Sequence, residues 1–124
     1  MKIEIRSRTF PMTDSIKDFS ERRLLLALSK YGPELSRVGV ILSDINGPRG
    51  GVDKQCVIRV LGRDGWGAIV RDVESDMYAA IERSVDRVAR AVARRVAQRQ
   101  DIPASAIRRA TRSLGRIRLQ RVAG

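Results

Sequence analysis

From Met77 to Val96 apolar side chains return at steps of four, four, three, four and four residues: Met77, Ile81, Val85, Val88, Val92 and Val96. At 3.6 residues per turn these positions form one stripe, and Arg83, Arg87, Arg90 and Arg94 form a second stripe about 160° away. The spacing predicts a helix over 76–99. Such a helix needs a second layer to cover its apolar side, and its other side must stay in solvent. Glutamates at i−4 would ordinarily match such arginines, yet Asp86 is the only acid between Arg83 and Gln100. Within its own helix the charge is uncompensated, and a stripe of that kind attracts a polyanion.

The covering layer is written in period two. Residues 2–9 alternate, with Ile3 and Ile5 on one side and Lys2, Glu4 and Arg6 on the other, which predicts a strand. Thr13 then caps a helix expected from Asp14 to Tyr31, with Ile16, Phe19, Leu24, Ala27, Leu28 and Tyr31 as its apolar side and Gly32-Pro33 as its stop. A second strand is expected over Val38–Asp44. After the loop Asn46-Gly47-Pro48-Arg49-Gly50-Gly51, a third strand places Cys56, Ile58 and Val60 on its core side. Arg63-Asp64-Gly65 turns the chain into a fourth strand, Trp66–Val73. The order β-α-β-β-β-α predicts an α+β fold: a four-stranded mixed sheet with both helices packed on one face. The first two strands pair in parallel, because a helix connects them.

Charge is distributed unevenly. The formal net charge is +11 with no histidine, and residues 83–124 hold twelve arginines against Asp86 and Asp101 alone. Long-range, salt-screened attraction to nucleic acid or an anionic surface follows. At 124 residues the chain is expected to form one domain over 1–100 and a basic tail over 101–124. The first residues lack a signal-peptide core, and no run approaches the roughly 18 apolar residues a membrane span needs, so a cytoplasmic location is expected.

Several motifs carry a resemblance. The β-α-β-β-β-α order, the Thr13-Asp14 helix start, Asp76-Met77-Tyr78-Ala79-Ala80-Ile81 and Asp86-Arg87-Val88-Ala89-Arg90 resemble the ribosome hibernation promoting factor and ribosome-associated translation inhibitor family, also labelled sigma-factor modulation proteins. The run Ser43–Cys56 is similar to its short proteobacterial members. The resemblance covers residues 1 to about 99 and implies a translation inhibitor whose partner is the small ribosomal subunit and its RNA. It further implies occupancy of the mRNA and tRNA channel, blocked initiation, and a monomer off the ribosome. Matched to that family's basic helix surface, the expected RNA-binding residues are Arg83, Arg87, Arg90 and Arg94, extended by Arg23 and Lys30, which share a flank of the first helix, and by Arg49 and Lys54 near the glycine loop. Residues 101–124 are too short for the ribosome-pairing domain of long members. Two alternatives remain: a regulatory module acting on another protein, as the sigma-factor label suggests, and a general RNA-binding domain.

Enzyme chemistry finds little footing. Without histidine the usual general base and the commonest metal ligand are missing, and one cysteine cannot build a zinc site, so no metal, cofactor or small-molecule substrate is expected. Cys56 reads as a buried small hydrophobe, and Trp66, Met77 and Tyr78 as packing residues. The run Asp72, Glu74, Asp76 reads as a strand end before a helix rather than a cation site. No phosphate-binding glycine motif is present.

Overall fold

The computed structural model describes residues 1–46 and 51–113, of which 100–113 are described as backbone alone. The expected order is realised. Strand β1 (Lys2–Ser7) leads to helix α1 (Asp14–Leu28) and a 3₁₀ segment (Ser29–Glu34), followed by β2 (Leu35–Asp44), β3 (Lys54–Gly62), β4 (Gly67–Glu74) and α2 (Met77–Ser113). The sheet order is β1-β2-β3-β4. β1 lies parallel to β2, and the other two pairs are antiparallel.

Local chemistry accounts for the boundaries. Thr13 stays extended and its Oγ1 accepts from the Ile16 N–H at 3.2 Å, filling one of the orphan donors of a helix start. At the other end α1 stops at Leu28 rather than Tyr31. Pro33 has no N–H to continue an i→i−4 ladder, and the chain tightens into 3₁₀ geometry instead. Asp76 starts α2, its Oδ2 accepting from the Ala79 N–H at 3.0 Å. The β3–β4 hairpin turns through Arg63-Asp64-Gly65, with Gly65 at φ +90°, where a Cβ would be strained. Gly62, just before it, has no room for a side chain, since a Cβ there would stand 2.0 Å from Cε2 of Trp66.

The chain divides into two compact units, Met1–Val92 and a second beginning at Ala93. In the first, one sheet face supplies Val38, Val40, Leu42, Cys56, Ile58 and Val60, all buried, and the helices supply Leu24, Leu28, Ala80, Ile81, Val85, Val88 and Val92. Of the six apolar positions read on α1, only Leu24 and Leu28 are fully buried. The two helices run in the same direction on this face. The Phe19 and Tyr78 rings meet edge to face at 4.9 Å, and four residues further along each helix Arg23 faces Glu82. Among the described residues no helix is long and apolar enough to cross a membrane. In the second unit the α2 backbone stays helical to Ser113, past Arg99, where the expected helix ended.

Candidate nucleic-acid interface

Within the first unit the apolar stripe of α2, from Met77 to Val92, lies on the sheet, and Arg83, Arg87 and Arg90 rise along its flank. Their surroundings differ by turn. Asp72, on the helix-facing side of β4, is buried, with its side chain 5% exposed. Its Oδ1 accepts from Nη1 of Arg87 at 2.6 Å and lies 3.3 Å from Nε of Arg83. Its Oδ2 accepts from the Ser84 hydroxyl at 2.9 Å. That hydroxyl also lies 3.4 Å from the Cys56 carbonyl, but its single proton goes to the nearer, charged acceptor. Arg83 reaches Glu74 at 3.1 Å, and Arg87 donates a second bond to the Arg71 carbonyl at 3.1 Å.

Arg83 and Arg87 are therefore compensated after all, by acids on the neighbouring strand rather than on their own helix. They remain 63% and 44% exposed, so their outer edges still face solvent. Arg90 is exposed, with no partner among the described residues. In the second unit Arg94 and Arg95 are likewise exposed and without a partner among the described residues.

The other expected positions have mixed fates. Arg23 points its Nη2 at Glu82 from 3.9 Å, with its Nε buried and unbonded. Lys30 falls on the 3₁₀ segment, because α1 ends before it. It therefore does not share a helix flank with Arg23, and its ammonium sits 5.3 Å from the Tyr31 ring centre. Lys54 bridges Asp53 at 2.8 Å and Asp44 at 3.3 Å, and its pKa is raised, first of all by the Asp53 hydrogen bond. It is a clamp across the start of the β2–β3 pair. Arg49 lies outside the described residues. Cys56 is buried, and desolvation pushes its thiol up to about 12, which leaves it protonated and inert at neutral pH. Among the described residues no group of three potential metal ligands converges.

A second basic surface was not anticipated. On the sheet face away from the helices, Lys2, Arg6, Arg37, Arg59 and Arg71 are all exposed, against Glu4 alone. The signal was present as basic residues at outward positions of every strand, two on β1 and one on each of the others, visible only when the strands are laid side by side.

This architecture has known counterparts. A family model described as Sigma 54 modulation protein / S30EA ribosomal protein matches residues 3–100. The chain belongs to this family. Among solved structures, the N-terminal domain of Protein Y from Thermus thermophilus is similar at 32% identity and TM-score 0.63, over 76% of this chain and 98% of that one. A ribosomal subunit interface protein from Coxiella burnetii shares the fold at TM-score 0.68 and 14% identity, over 78% of this chain and 99% of that one. Among curated proteins none matches the chain. The family match begins in β1 and runs into α2, so it takes in the whole sheet and both helices' contacts with it.

Proposed function

We propose that this family member associates with the ribosome, binding RNA of the small subunit where message and transfer RNA meet, and that it inhibits initiation by occupying that space. The observation that carries the reading is the set of guanidinium groups on α2, Arg90 with Arg94 and Arg95, that have no acid partner among the described residues of a chain in this family. An RNA surface is recognised through phosphates and shape, and Arg suits that task through its planar fork and weak hydration. Arg83 and Arg87 extend the same contact with their exposed edges. On this reading the protein acts by occupancy, as a cytoplasmic monomer that needs no metal or cofactor.

The test is retention of labelled initiator transfer RNA on isolated small subunits as the protein is added. Competition is reciprocal by linkage, so the protein should displace the transfer RNA, and preassembled initiator complexes should slow its own binding. Co-sedimentation with small subunits should weaken with salt. Transfer RNA that stays in place while the protein saturates the same subunits refutes the occlusion mechanism.

A further inference from the structure

Among the described residues nothing covers the sheet face away from the helices, and its side chains form a grid. In the register of the strands, Lys2, Arg37 and Leu61 make one row, Glu4, Gly39, Arg59 and Ile69 the next, and Arg6, Ile41, Val57 and Arg71 a third. Gly39 lies at the centre, and a Cβ built there would meet nothing within 4 Å. Its missing side chain opens a shallow groove of about 480 Å³, lined by Ile41, Val57 and Leu61 together with Arg6, Arg37 and Arg59, three cations that outnumber the single acid there, Glu4. These three guanidiniums have no partner among the described residues, whereas Arg71 is held by Gln55 at 2.8 Å.

We propose that this groove docks an acidic, amphipathic polypeptide segment, with aliphatic side chains seated against Ile41, Val57 and Leu61 and carboxylates bound by Arg6, Arg37 and Arg59.

Charge complementarity selects that occupant. The face bears five cations and one acid, so a second copy of the same face would be repelled. The chain's own last residues, Leu114–Gly124, carry Arg116, Arg118 and Arg121 and no acid, so they fit no better. Single-stranded RNA is the less suited polyanion. Bases are held on surfaces by aromatic stacking, and no aromatic residue projects from this face, while aliphatic surfaces mixed with arginine are typical of protein contacts. Arg also grips carboxylates bidentately, which fixes the orientation of a bound segment. The volume is that of a small-ligand pocket, enough for a few side chains rather than a domain.

The experiment is fluorescence anisotropy on the full chain with a labelled peptide alternating glutamate and leucine. A glutamate–serine peptide, oligouridylate and phosphatidylglycerol vesicles serve as competitors. Two variants block the groove by different means: Arg37→Glu with Arg59→Glu reverses its charge, and Gly39→Val fills the centre without altering charge. Each should weaken the glutamate–leucine peptide about tenfold or more. Arg90→Gln with Arg94→Gln should leave that affinity unchanged, and the glutamate–serine peptide should compete poorly. The proposal is overturned if Gly39→Val, melting as the parent does, binds the peptide normally. It is equally overturned if the glutamate–serine peptide competes as well as its leucine counterpart, or if oligouridylate or vesicles occupy the face through Arg37 and Arg59 and the peptide does not. None of these readouts involves a ribosome, so this proposal and the one above stand or fall separately.

Discussion

Two successive stretches of the same arginine stripe stand in different electrostatic circumstances. Arg83 and Arg87 lie above Asp72 and Glu74 of β4, while Arg90 has no acid within reach among the described residues. The spacing along α2 is the same, so the difference comes from the strand beneath. The paired arginines fasten helix to sheet and offer only their outer edges, whereas an unpaired arginine is held in place by its helix alone and keeps its full charge for a polyanion. On the proposed reading, a stripe that looks uniform in sequence is divided between holding the fold and meeting RNA.

The sharpest way to break this contrast is at Asp72. Asp72→Ala leaves the Ser84 hydroxyl and Arg87 without their shared acceptor, and stability should fall by about 1–3 kcal/mol, read as a lower urea midpoint with an unchanged slope. Asp72→Asn keeps the shape and part of the hydrogen bonding. It should cost less stability and, by releasing two guanidiniums, tighten ribosome binding; looser binding would show that the clamp aids recognition by orienting them. Next comes Arg87→Gln, which removes the Asp72 contact and the bond to the Arg71 carbonyl. A loss of about 1 kcal/mol is expected, held down by the exposure of the arginine head.

Arg90→Gln with Arg94→Gln should move stability by less than about 0.5 kcal/mol each. It should nevertheless flatten the plot of log affinity against log salt by about 2, one unit for each phosphate no longer neutralised. If instead the pair destabilises the fold and leaves the salt slope alone, the division of labour drawn above is reversed.

The smallest effect at neutral pH concerns the groups whose titration folding disturbs. The Cys56 thiol, raised from 9.0 to about 12, loses its proton first in the unfolded chain, so stability should fall as pH rises from 9 towards 12. Lys54 is a cation with a raised pKa; its contribution is complete below 10.5 and is lost as pH passes its folded value. Urea titrations at rising pH should therefore show declining stability, muted at its lower end by Cys56→Ala. Native protein should resist Ellman's reagent at pH 8.

Much of the fold was legible because each element states its own period. Ile3 and Ile5 against Lys2, Glu4 and Arg6 gave β1, Thr13 gave the start of α1, and the step pattern from Met77 gave the buried side of α2. What stayed hidden depends on neighbours distant in sequence. The partners of Arg83 and Arg87 lie on another element, which rules based on i±4 spacing cannot see. Lys54 looked available for RNA until Asp44, ten residues earlier, proved to lie across the strand pair from it. The outer sheet face is hidden in the sequence because alternation within a strand marks the core side, whereas the outward positions become one surface only across strands. The start of β2 at Leu35 was obscured by an irregular register between Leu35 and Arg37.

Trp66 is the only tryptophan, buried with its ring against Gly62 at the end of the β3–β4 hairpin. Its emission is therefore a built-in optical probe of one place, the closing of that hairpin. Far-ultraviolet dichroism, by contrast, is dominated by the helices. Comparing the two signals during refolding follows sheet and helix separately in the unlabelled protein. The hairpin joins residues close in sequence through a short turn, so its fluorescence is placed to change before the parallel β1–β2 pairing, which must wait for α1 to cross between its strands.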